Sequence, residues 1–229
     1  MSKLKEGSFL YQITHYSLRQ IVVMVIGNII LALGASLFAK TALGTHPLYT
    51  MIYAAERALS PYSSFLTYAN LMIINNIILF LFQVIFRRDQ IGLGTLFNMF
   101  IYPYLNTWGL MLLNACKLPL TLPAKIVYLV LAAVLMSLGI SVYQTANSGV
   151  APYDAMPFVL MKLTRLPFFG CRMLVDGTCF AVTLILLFCQ KIPIFNAGTA
   201  TIGVGAVVCV FCMGPIIQFF DKTVSKKLI

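Results

Sequence analysis

Acidic residues are nearly missing from this chain: six stand among 229 positions, against 16 lysines and arginines, and charged residues amount to only 10%. Soluble domains carry about 25% charged residues, so a free globular protein is excluded. Histidine occurs twice, at positions 15 and 46, which leaves no His-Glu-x-x-His pair and no clustered ligands for a metal. A Gly-rich phosphate loop and a serine nucleophile elbow are lacking as well. The six cysteines suggest no disulfide framework, and the C-x-x-C spacing of Cys209 and Cys212 falls in a small, apolar run that reads as packing. An enzyme needs a constellation that these residues do not supply. The expectation is a protein with no catalytic residues, no cofactor and no metal.

What is present in abundance is apolar. Hydrophobic residues make up 60% of the chain, and uncharged stretches run from Gln20 to Ala39, Ala58 to Phe86, Gln90 to Cys116, Ile126 to Tyr153 and Ile192 to Phe220. Each is long enough for the roughly 20 residues of a spanning helix. The runs are continuous and do not alternate as barrel strands would, so hydrogen-bond satisfaction in lipid forces helices. The chain therefore reads as an all-α, multi-pass protein of the cytoplasmic membrane, with the lipid bilayer as its first partner. The net charge of +10 calls for no nucleic acid, because lysine and arginine collect on cytoplasmic loops of such proteins.

Two stretches organise the rest. Gly44-Thr45-His46-Pro47-Leu48-Tyr49 and Gly149-Val150-Ala151-Pro152-Tyr153-Asp154 each stop one helix at a glycine and restart another at a proline. A shift of 105 residues also aligns Leu33 with Leu138, Gly34 with Gly139, Ser36 with Ser141 and Met51 with Met156, and Gly94-Thr95 lies near the same shift from Gly198-Thr199. The chain reads as a duplication: a tail over residues 1–20, a first four-segment repeat over 21–116, a linker over 117–125, a second repeat over 126–220 and a tail over 221–229. Pro103 is expected to kink the fourth segment.

The segment from Pro47 to Leu59 has 13 residues and rises only about 20 Å as a helix, short of the roughly 30 Å hydrocarbon core. Eight crossings, which make the halves parallel, put 12 of the 16 basic residues in the cytoplasm; six crossings with two short or re-entrant helices, which make them inverted, put 11 there. The basic-residue rule favours eight narrowly. Both counts leave both termini cytoplasmic.

Ionisable groups in the membrane are costly and point to function. Glu6, Asp89 and Asp221 fall in terminal or loop positions, and Glu56 with Arg57 reads as a membrane-surface pair. Asp176 lies deep in a segment that begins near Phe168, with Arg172 one turn earlier on the same face. Either the two form a structural ion pair, or Asp176 takes a proton or cation, or Arg172 holds an anion while Asp176 orients it. Asn70 stands opposite Asp176 in the first half. Each corner either only turns the chain or offers a helix N-terminus to an anion or a carbonyl oxygen. The candidate binding residues are therefore Gly44, Pro47, Asn70, Gly149, Pro152, Asp154, Arg172 and Asp176. His46 reads as a loop residue or helix-end donor, and the spacing Gly198, Ala200, Gly203, Gly205 as helix packing.

At Leu138-Gly139, Gly149 to Asp154 and Gly198-Thr199 the chain resembles the YczE, YyaS and YitT group of bacterial membrane proteins, the YczE branch in particular. The first half departs from that pattern, with Leu48-Tyr49 where the group has an aromatic followed by aspartate. The resemblance spans roughly residues 20 to 220 and implies a multi-pass cytoplasmic-membrane protein, without an activity to carry over. Two classes of function follow from the residues: a small secondary transporter or permease for an unknown small solute, or a non-transporting membrane partner that assembles, stabilises or regulates another protein. Homo-oligomerisation fits either.

Overall fold

The computed structural model describes residues 16–116, 118–191 and 203–224. Among them are nine α-helices and no strand. The helices are α1 (Leu18–Thr41), α2 (Pro47–Leu59), α3 (Tyr68–Phe86), α4 (Leu93–Phe100), α5 (Tyr102–Ala115), α6 (Leu122–Thr145), α7 (Pro152–Thr164), α8 (Phe168–Cys189) and α9 (Val204–Thr223).

Local chemistry sets the helix ends. The Ser17 hydroxyl accepts from the Gln20 N–H at 3.2 Å while the Gln20 side-chain oxygen accepts from the Ser17 N–H at 2.9 Å, a reciprocal cap that starts α1. Both α2 and α7 open on a proline, whose missing N–H is no loss in a first turn. The kink expected at Pro103 falls at Ile101, which keeps helical angles of φ −95° and ψ −45° between α4 and α5, since Pro103 cannot donate to the Met99 carbonyl one turn back. Eight expected segments thereby become nine helices. Asp221, expected in a tail, sits in the last turn of α9 and accepts from the buried Ser141 hydroxyl.

Among the described residues, four helices are long and apolar enough to cross a membrane: α1, α3, α6 and the stretch Gly170–Cys189 of α8. On α3, Ile77, Ile78, Leu81, Phe82 and Ile85 are exposed, an outward strip suited to lipid. The centre of the molecule is the pair α1 and α6. Lipid is as apolar as a side chain, so helices gain by close approach over small residues, and here glycine supplies it. A Cβ on Gly27 would come within 2.5 Å of the Tyr143 nitrogen, one on Gly34 within 2.7 Å of the Met136 nitrogen, and one on Gly139 within 2.7 Å of the Leu31 Cα. Positions rise on α1 as they fall on α6, so the two run antiparallel. Gly34→Leu is expected to lower stability by about 1 to 3 kcal/mol, read as a drop in the unfolding midpoint in detergent. Gly177→Leu, with nothing within 4 Å of its Cβ, should leave the midpoint in place.

Around this pair, α5 runs parallel to α1, because Ser36 bonds Asn106 at 2.8 Å and Lys40 bonds Asn114 at 2.6 Å. Helix α9 lies on α6, α2 on α8, and α3 on α7. Eight crossings would set α1 and α6 parallel, whereas the two helices lie antiparallel.

Candidate functional site

The two corners have one backbone conformation. Ala42 (φ 53°) and Gly44 (φ 97°) are left-handed at the first, Asn147 (φ 49°) and Gly149 (φ 102°) at the second. His46 then caps α2 with φ −56° and ψ 137°, and Ala151 caps α7 with φ −56° and ψ 142°. Corresponding positions are all 105 residues apart. Each corner is clasped by the start of another helix: the Gly205 N–H donates to the Leu43 carbonyl at 2.9 Å, and the Gly94 N–H to the Ser148 carbonyl at 2.6 Å. Gly44 lies against Gly203 and Gly149 against Gly92, too close for any side chain.

Beyond the clasps the chain turns inwards and the corners meet. His46, Leu48 and Tyr49 from one and Ala151, Tyr153 and Asp154 from the other line a single cavity. The volume open to the centres of water-sized molecules is about 40 Å³, room for a small ion or a few waters. Neither N-cap side chain bonds its own first turn, so both helices present N–H groups and a partial positive charge there. The Tyr49 and Tyr102 hydroxyls, 2.7 Å apart, add a polar rim.

Arg172 on α8 ties the corners together. Its Nη1 donates to Asp154 Oδ1 at 3.1 Å, its Nη2 to His46 Nε2 at 2.9 Å, and its Nε stands 3.5 Å from Asp176 Oδ2. The guanidinium carbon lies 5.0 Å from the Tyr153 ring centroid, within cation–π range. Each acid has a tyrosine of its own: Tyr143 donates to Asp154 at 2.7 Å, and Tyr153 donates to Asp176. Burying charge is costly unless it is paired and hydrogen-bonded, and here every member is. By contrast, Asp89 is an exposed acid beyond α3. Hydrogen bonds from Arg87 at 3.0 and 2.8 Å hold its carboxyl below the usual range, and a pair so exposed contributes little.

The expected residues are thus sorted by position. Asp154, Arg172 and Asp176 come together, and the expected turn-spaced pair of Arg172 with Asp176 is joined by a nearer acid, Asp154. Gly44, Gly149, Pro47 and Pro152 shape the corners, while their neighbours form the cavity wall. Asn70 does not join: its amide donates to the Phe65 carbonyl at 2.7 Å and its oxygen accepts from Tyr104 at 3.0 Å. It sits in the first turn of α3, and the asparagines before the linker that reach the cavity are Asn76 and Asn98. Gly198, Thr199 and Ala200 lie outside the described residues. Glu56, expected at a surface, is half-buried and accepts from the Tyr68 N–H at 2.7 Å, capping the start of α3. Sequence reasoning missed the ring of His46 and the hydroxyls of Tyr143 and Tyr153. Asn76 and Asn98 were open to detection, since polar residues inside apolar runs are themselves a signal.

The chain is 24% identical over 205 residues to the uncharacterized protein YyaS of Bacillus subtilis (strain 168), covering 89% of this chain and 93% of that protein. This supports the wider group read from the sequence and not a particular branch of it. No solved structure matches. A family profile described as a family of unknown function, DUF6198, matches residues 18–222. With nearly its whole length matched, from the first residue of α1 into the last turn of α9, this helical membrane-type chain belongs to the DUF6198 family.

Proposed function

We propose that the protein is a small secondary transporter of the cytoplasmic membrane, with its solute site in the cavity between the corners. The observation that carries this reading is that two corners of like conformation meet around one cavity beside a buried charge cluster. Transporters of duplicated architecture bind at such interrupted helices, near the midplane between repeats, and work by rocking one half against the other.

The same reading takes the chain as two inverted halves, each with three crossings and one re-entrant helix. Its support is a set of contacts that exchange under the 105-residue shift. Gly34 with Met136 becomes Gly139 with Leu31, and the clasp of Leu43 by Gly205 has its mate in the clasp of Ser148 by Gly94. Helix pairs exchange likewise: α1 on α5 with α6 on α9, and α2 on α8 with α7 on α3. Downstream the register drifts, so that Gly92-Leu93-Gly94 answers Gly203-Val204-Gly205, 111 residues on. The crossings are then α1, α3, the broken α4 and α5, α6, α8 and α9, and both termini share the cytoplasmic side.

Single cysteines in a background without the native six test both parts. Thr121→Cys should be labelled by an impermeant reagent from the same side as Lys40→Cys and from the side opposite Arg88→Cys. Labelling of positions 121 and 88 from one side removes the inverted topology. For transport, Leu48→Cys and Ala151→Cys on the cavity wall should each react from either side of the membrane, as rocking halves require. Reaction from one side alone, or from neither, argues for a static membrane partner.

A further inference from the structure

The cavity carries an asymmetry that bears on what it holds. In α7 the third residue is Asp154, so that helix brings its own carboxylate to its positive end. In α2 the third residue is Tyr49, and no acid stands in the first turn. Asp154 is also fully engaged, by Tyr143 and by Arg172. The first corner has no such internal answer.

The His46 ring points to the same end. Arginine has donors only, so the 2.9 Å contact of Arg172 Nη2 with His46 Nε2 makes Nε2 the acceptor and leaves the ring proton on Nδ1. His46 is 7% exposed and lines the cavity. Its Nδ1 has no hydrogen-bond partner among the described residues. A buried donor without an acceptor is costly and calls for explanation.

We propose that the cavity takes a small monovalent anion, of halide, nitrate or formate size, held at the N-terminus of α2 with His46 Nδ1–H as a donor. The ligand supplies at the first corner the negative charge that Asp154 supplies at the second. Size agrees, since a cavity of about 40 Å³ has room for an ion of a few heavy atoms. A cation fits less well: the end of α2 is positive and has no acid in its first turn, and both acids of the cluster are already bonded to Arg172 and the tyrosines. This inference rests on the cavity being the solute site, and it names the class of solute.

The test uses purified full-length protein in detergent, titrated with sodium chloride, nitrate and formate against sodium gluconate at constant ionic strength. At least one of the three small anions should raise the unfolding midpoint saturably, and in His46→Leu the half-saturating concentration should rise by about tenfold or more. Absence of saturation with all three, or an unchanged response in His46→Leu, overturns the proposal. If His46→Leu does not fold, wild-type crystals soaked in bromide decide: an anomalous peak in contact with His46 Nδ1 upholds the site, and its absence overturns it. Anion binding without flux in proteoliposomes would keep this site and remove the transporter reading. Flux of a cation or neutral solute with no anion response would do the reverse.

Discussion

Replacing Arg172 with glutamine is expected to destabilise the protein by about 3 to 5 kcal/mol, the usual effect of stranding a buried charge. Two carboxylates are stranded at once, because the guanidinium stands between Asp154 at 3.1 Å and Asp176 at 3.5 Å. The side chains of these acids are only 18% and 5% exposed, so water does little to replace the lost partner. Recovery should therefore come in two steps. Adding Asp176→Asn to Arg172→Gln restores part of the lost stability, and adding Asp154→Asn restores most of the rest, since neutral groups in the same places need no counter-charge. Thermal unfolding of the single, double and triple variants in detergent measures this. Full recovery already in the double variant would mean that Asp154 is not coupled to Arg172 and that the cluster is a simple pair on α8. Activity separates the roles further: a well-folded triple variant with normal function would return all three charges to the scaffold.

Gly149→Val should be as damaging, for a reason of geometry and not of charge. The residue has φ 102°, a region that L side chains avoid. A Cβ there would come within 2.6 Å of Thr95 Oγ1 and 2.8 Å of the Gly92 Cα, and backbone cannot swing aside as a side chain can. Strain and overpacking together amount to about 2 to 6 kcal/mol. Relief would require the clasp of α4 on Ser148 to open, which moves Tyr153 and Asp154 away from Arg172. Gly44→Val, at φ 97° with the Gly203 nitrogen 2.6 Å from its Cβ, should behave in the same way at the first corner. The expected result is a lowered unfolding midpoint for both, with loss of any ligand response from the cavity. A valine at either position that leaves stability within about 0.5 kcal/mol, the range of an ordinary surface change, would show that the corner is not a constrained turn.

Membrane class, helical content and the two corners are legible in the amino-acid sequence, because each depends on neighbours along the chain. Hydropathy over 20 residues is a local sum, a glycine followed three places later by proline is a local break, and the turn-spaced pair of Arg172 with Asp176 follows from helical periodicity. The shift of 105 residues is likewise readable as a pattern of letters. Relations between segments are decided by tertiary packing alone. The sense of α1 against α6 is set where Gly27, Gly34 and Gly139 let the two backbones meet. Asn70 and Asn76 look alike in the sequence, yet only Asn76 reaches the cavity, because six residues along α3 change both the depth and the face presented. The bond between Arg172 and His46 joins positions 126 residues apart. No periodicity reaches that far, and the contact exists because α2 packs on α8.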